Sequence, residues 1–202
     1  MLRKRDKEII EALSLFRCLS RDQIAFMFFS NLKSPITSTN HVLKRLRRES
    51  YIVANTERQP YIYFLNPPSI KIGSQKINHY LAIADFYISV CKEEKPKVFR
   101  VEPRYGGGFM QPDIFMIWKN NLFFIEIQNS IYSSEVMNGK INRYIDYYYS
   151  DEWRYKHLQN ETISEFPLVW IISKKTSYLI PKNEIKVIQT KDVNSFLASA
   201  YI

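Results

Sequence analysis

The chain has 202 residues, 29 Lys and Arg against 20 Asp and Glu, a formal net charge of +9 and a pI near 9.4. Its 46% hydrophobic and 15% aromatic content, with only 5 Gly and 9 Pro, excludes a disordered or collagen-like chain. Cys18 and Cys91 stand alone, which argues against a disulfide scaffold or a cysteine zinc site and for a reducing, cytoplasmic setting. No apolar run approaches the ~20 residues of a membrane span, so no membrane partner is expected. The basic excess points instead to an anionic one.

That excess is uneven. Residues 1–65 carry 12 Lys and Arg against 6 acids, whereas residues 66–202 carry 17 against 14. The paired prolines in Asn66-Pro67-Pro68-Ser69 break regular structure between the two parts. The expected organisation is a domain over residues 1–66, a linker over 67–70 and a second domain over 71–202.

Apolar Ile9, Ile10, Leu13 and Phe16 recur at spacings of three and four, which predicts a helix over residues 4–16. Ser20, with Gln23 three positions on, forms a capping box that opens a second helix. A turn at residues 31–35 leads to a third helix from about Thr37, with Val42, Leu43 and Leu46 inward. Residues 51–53 and 61–65 read as two strands of a hairpin.

Three helices, the last of them basic, followed by a hairpin is the order of a winged helix-turn-helix. In that motif the third helix enters a major groove of duplex DNA. Thr37, Ser38, Thr39 and Asn40 are short polar groups suited to base edges or phosphate. Lys44, Arg45, Arg47 and Arg48 on the helix, with Arg58 on the wing, are expected to neutralise phosphates. Charge runs are often no more than a solvated helix face, but this one falls on the third helix of an ordered motif with little acid to balance it.

In the second part, residues 76–94 have a strong helical period and residues 98–102 read as a strand. Residues 112–118 and 122–128 form two apolar strands around a turn at Lys119-Asn120-Asn121, followed by a helix over 135–149 and a strand over 168–172. Asp113 and Glu126 interrupt the two apolar strands. With Asn120 and Asn121 at the hairpin tip, Asp113 pairs near Gln128, and two-residue alternation puts Glu126 on the same face. Two carboxylates, the Gln128 amide and Glu102 from the neighbouring strand are expected to converge, a set of hard oxygen ligands suited to Mg²⁺ or Mn²⁺. The run Tyr144, Tyr147, Tyr148, Tyr149, Trp153 and Tyr155 offers stacking surfaces for bases, although helix packing is the favoured explanation.

Pro112-Asp113, then Glu126-Ile-Gln128, within an αβββαβ order, resembles the PD-(D/E)XK nuclease superfamily. The resemblance implies Asp113 and Glu126 as metal ligands and a water-activating lysine two residues after Glu126. Gln128 stands at that position, and Lys140 on the following helix is placed to substitute for it. The whole chain is also similar to the replication-relaxation family of plasmids, phages and conjugative elements, whose members join a winged helix to a nuclease-like domain. The resembling features are His79-Tyr-Leu81, Glu102, Pro112-Asp113, Glu126-Ile-Gln128, and Lys140 with Tyr144. The resemblance implies a DNA-binding protein of a mobile element in a bacterial host, at the nucleoid or plasmid, acting in replication, transfer or its regulation. Two alternatives stand beside this one. One is a Mg²⁺- or Mn²⁺-dependent DNA endonuclease using Asp113, Glu126, Gln128, Lys140 and Glu102. The other is a transcriptional regulator or assembly protein that forms a homodimer through its C-terminal domain or recruits replication or transfer proteins.

Overall fold

A computed structural model describes residues 1–156, 165–174, 177–180 and 184–199 of the chain. The fold is mixed α+β, with two sheets and seven helices among the described residues. Compact units comprise residues Met1–Ile88 and Ser89–Ile202.

The first unit opens with α1 (Lys4–Phe16), whose Ile9, Leu13 and Phe16 are fully buried, one face of a 3.6-residue period. A two-residue strand, β1 (Leu19–Ser20), precedes α2 (Arg21–Phe29). Ser20 caps that helix as its sequence requires: its hydroxyl accepts from the Gln23 N–H at 3.1 Å, and the Ser20 N–H donates to Gln23 Oε1 at 3.0 Å. The third helix, α3 (Pro35–Arg48), starts two residues before the expected Thr37. Pro35 opens the helix instead of ending a turn, because a first-turn residue has no intrahelical use for its N–H.

The hairpin strands β2 (Ile52–Asn55) and β3 (Ile62–Leu65) pair antiparallel, and β1 adds to the free side of β3, giving the order β1-β3-β2. A strand of two residues leaves no periodic trace in the sequence, so local pattern does not reveal β1.

Residues 67–88 belong with the first unit, so the prolines at 67 and 68 lie inside it. The division falls within α4 (Ile77–Glu93). Hydrogen bonds account for this. Gln23 Nε2 donates to the Leu81 carbonyl at 2.9 Å and to Asp85 at 2.6 Å, and Asn55 donates to the Ile72 carbonyl at 3.1 Å. No single-residue pattern shows such long-range bonds.

The second unit is built on a five-stranded sheet in the order β4-β5-β6-β7-β8. Strands β4 (Val98–Val101), β5 (Ile114–Trp118) and β6 (Asn121–Gln128) are antiparallel. Strands β7 (Leu168–Ser173) and β8 (Val187–Thr190) continue parallel to β6. The connection from β6 to β7 carries α5 (Ser134–Tyr149) and the short α6 (Trp153–Lys156), and α7 (Val193–Ala198) follows β8.

Alternation sorts β6 into two faces. Phe124 packs with Phe115, Met137, Ile141, Tyr144 and Tyr147 on the α5 side. Phe123 meets Trp118, Trp170 and Phe196, with the Trp170 and Phe196 rings stacked at 4.0 Å between centroids. Tyr144, Tyr147 and Trp153 are therefore core residues, while Tyr149 and Tyr155 are exposed. No helix among the described residues is long and apolar enough to cross a membrane.

Candidate nucleic-acid interface and carboxylate cluster

Asn40, Lys44 and Arg47 sit at positions i, i+4 and i+7 of α3, so they rise from one helix face. That face forms one wall of a concavity of about 450 Å³, completed by Arg21 at the start of α2 and by Gln59, Tyr61 and Tyr63 from the hairpin. Strand pairing explains the meeting. Ser20 opposes Ile62, and the Arg21 N–H donates to the Tyr61 carbonyl at 2.9 Å, which holds the first residue of α2 against the hairpin. Burial pushes the Tyr63 hydroxyl pKa up, against the pull of the nearby Arg47 and Arg21 charges. Among the described residues neither Lys44 nor Arg47 has a carboxylate partner, whereas Arg21 also bonds Asp22 at 2.8 Å. Three cations around one concavity give it a positive potential that attracts an anion.

Not every basic or polar residue expected to face DNA lines this concavity. Thr37 is exposed and Ser38 half-buried near the start of α3, but Thr39 is fully buried, its hydroxyl donating to the Pro35 carbonyl at 2.8 Å. It shares the inward stripe with Leu43 and Leu46, which removes it from any base edge. Arg48 is exposed away from the concavity lining, and Arg58 donates to Asn78 at 2.8 Å.

Arg45 is turned inward to Asp6 of α1, at 2.6 Å, with Glu49 at 3.6 Å. Its partner carboxylate is 1% exposed, so this cation serves the fold rather than a free surface. Arg21, Gln59, Tyr61 and Tyr63 take their place in the lining although the sequence did not single them out. Their signal is the β1–β3 register, which only the folded chain reveals.

The Asp6–Arg45 pair yields two expected results. Arg45→Ala should cost the first unit about 1.5–3 kcal/mol, the range for a hydrogen bond to a charged group, read as a lower melting temperature. It should leave the salt dependence of any DNA binding unchanged. Burial pushes the Asp6 carboxyl up, but the hydrogen bonds from Arg45 and from the Arg3 N–H outweigh it and hold the pKa below its usual value of 3.8. A lowered folded-state value contributes stability that is present above the unfolded pKa and is lost as pH falls through the folded one. Melts across pH 2–5 should therefore show an acid-side loss that Asp6→Asn reduces.

In the second unit, Lys119 and Asn120 form the hairpin tip, with φ of 48° and 61°, and Trp118 opposes Asn121. Both central residues in the left-handed region is the turn whose twist matches the flanking strands. The tip lies one residue earlier than expected from the sequence. Ile114 opposes Ile125, and one further step sets Asp113 opposite Glu126 rather than near Gln128. A shift of two positions in the partner preserves the face, so Glu126 and Gln128 still point toward α5.

Asp113 Oδ2 accepts from the Ile127 N–H at 2.7 Å, and the Asp113 carbonyl accepts from the Glu102 N–H at 2.8 Å. Glu126 is 1% exposed. Its Oε1 accepts from the Tyr144 hydroxyl at 2.6 Å, and its Oε2 meets Lys140 Nζ at 2.5 Å. Lys140 and Tyr144 are four residues apart on α5, which is why both reach the same carboxylate. Gln128 is buried at the end of β6, in register with Ser173 of β7. The structure thus brings together Asp113, Glu126 and Lys140. Glu102 adjoins Asp113 through the backbone, and no group of three acid, His or Cys side chains able to hold a metal ion occurs among the described residues.

Burial pushes the Glu126 carboxyl up to about 7, helped by the Asp113 charge and opposed by Lys140 and Tyr144. Burial pulls Lys140 down, but Glu126 and Asp113 outweigh it and hold its pKa above normal. Tyr144 is held well above its usual value by burial and by the Glu126 charge. The Lys140 ammonium stands on the Glu126 oxygen that a divalent cation would need, and Tyr144 holds the other. The donor set is that of a closed ion-pair cluster and does not fit Mg²⁺ or Mn²⁺ unless Lys140 withdraws.

Comparison with known families matches residues 10–162 to the family described as replication-relaxation. No curated protein and no solved structure matches the chain.

Proposed function

The chain belongs to the replication-relaxation family, and from that premise we propose that it is a DNA-binding protein acting in replication or transfer of a mobile genetic element. Family membership supports the role in replication or transfer. The finer reading is ours: the first unit works as a winged helix-turn-helix that holds duplex DNA. The second is a PD-(D/E)XK nuclease-like unit used to bind DNA or a partner protein rather than to cut.

The observation that carries this reading is the face of α3, where Asn40, Lys44 and Arg47 meet Arg21 across one concavity. Neighbouring phosphates of a duplex are the anions that such a row of cations suits, and β2 and β3 then stand as the wing. The test is duplex binding by the full chain as a function of salt, with Lys44 and Arg47 replaced. Binding without salt dependence, or unaltered by the replacements, would remove the reading.

A second reading, a Mg²⁺- or Mn²⁺-dependent endonuclease, is favoured by one observation: a buried carboxylate on β6 stands beside Asp113 and is reached by a lysine from α5. The closed state of that cluster argues against turnover. Supercoiled DNA incubated with the full chain and Mn²⁺ should therefore show no more nicking than a Glu126→Ala control. Nicking that this substitution abolishes would install the enzymatic reading instead.

A further inference from the structure

The concavity of the first unit is larger and chemically more varied than phosphate neutralisation requires. Its volume of about 450 Å³ exceeds the space a single phosphate group fills. Arg21, Lys44 and Arg47 supply the cations. Asn40 and Gln59 add two carboxamides, each carrying both a donor group and an acceptor, the pairing that reads a base edge. Tyr61 and Tyr63 add aromatic rings. An intact duplex keeps its base faces inside the stack, where no tyrosine can reach them.

Resting on the DNA-binding reading of this unit, we propose that the concavity receives one unpaired nucleotide of DNA, at a strand end or extruded from the helix. The base lies against Tyr61, its edge meets Asn40 or Gln59, and its phosphate is held by Arg21, Lys44 and Arg47. Rigidity favours the arrangement. Tyr63 is 4% exposed on the central strand of the sheet and provides a fixed floor, and the Tyr61 carbonyl is bonded to the Arg21 N–H. The Tyr63 ring and the backbone that carries Tyr61 and Arg21 are thereby set in place before a ligand arrives, which limits the ordering cost of binding.

The experiment compares the full chain on four probes: a blunt duplex, the same duplex with one unpaired nucleotide at the 3′ end or at the 5′ end, and one with a single-nucleotide bulge. The end probes and the bulge distinguish a terminal nucleotide from an extruded one. At least one unpaired probe should bind about tenfold more tightly than the blunt duplex, the scale of one base stacked on an aromatic side chain. A 2-aminopurine at the unpaired position should lose fluorescence on binding. Tyr61→Ala should bring the ratio between that probe and the blunt duplex to about one, and Tyr61→Phe should keep it. Equal affinity for all four probes, or a preference that survives Tyr61→Ala, would overturn the inference while leaving duplex binding standing. Failure to bind any of the four would overturn both.

Discussion

Replacing Lys44 and Arg47 together by Ala should weaken duplex binding roughly a hundredfold at moderate salt, taking ~1.5 kcal/mol for each charge-assisted contact and 1.4 kcal/mol per factor of ten. The slope of log affinity against log salt should fall by about 2, since each phosphate contact on duplex DNA contributes ~0.9. Both side chains are exposed on α3, so the folded unit should survive the change. Arg45→Ala is the informative control. It removes a cation one position from Lys44 in sequence, but that cation faces Asp6. Net charge alone would predict similar losses from any of these replacements. The geometry predicts a binding defect from Lys44 and Arg47 and a stability defect from Arg45. Fluorescence anisotropy across a salt series, with melting curves for each variant, separates the two.

Lys140→Met should destabilise the second unit by about 3–5 kcal/mol, the cost of leaving a buried charge without its partner. Glu126 is 1% exposed and Lys140 19%, so water cannot readily replace the lost ammonium. The carboxyl responds by binding a proton. Its pKa already stands above the unfolded value, up to about 7. A raised folded-state value contributes stability that is full below the unfolded pKa and is lost as pH rises through the folded one. The native unit should therefore lose part of its stability as pH rises from about 4.5 through 7. In Lys140→Met that loss should extend to higher pH, because the group that lowered the value is gone. Adding Glu126→Gln should recover much of the cost, since the amide carries no charge and its oxygen still accepts from Tyr144. Thermal melts at pH 5, 7 and 9 test all three statements. A Lys140→Met protein that melts like the parent would show that the ion pair is not closed in solution.

Several elements were legible from local pattern. The apolar spacing of α1, the Ser20–Gln23 capping box and the αβββαβ order from α4 to β7 follow from periods and caps that act within one turn or one strand. The carboxylate cluster was legible in part. Asp113 and Glu126 stand out as acids in apolar strands, whereas Lys140 enters only through the resemblance to the nuclease superfamily. The sequence puts the turn one residue late, because Asn120-Asn121 resembles a hairpin tip as well as Lys119-Asn120 does. The error moved the register by two and left the face unchanged.

Composition and periodicity by themselves determined that this chain carries a basic first third, amphipathic helices and two acids in apolar strands. Those are properties of side-chain chemistry and of spacing along one element. Only the tertiary structure decided which cations remain available, because that depends on what folds against each of them. Arg45 is tied to buried Asp6 and stays only partly exposed, Thr39 turns into the core, and Arg21 enters the concavity through a two-residue strand. In the second unit, Lys140 and Tyr144 reach Glu126 because α5, in the connection from β6 to β7, packs on the sheet face that carries Glu126. The sequence counts charges, and packing across distant segments assigns each one its partner.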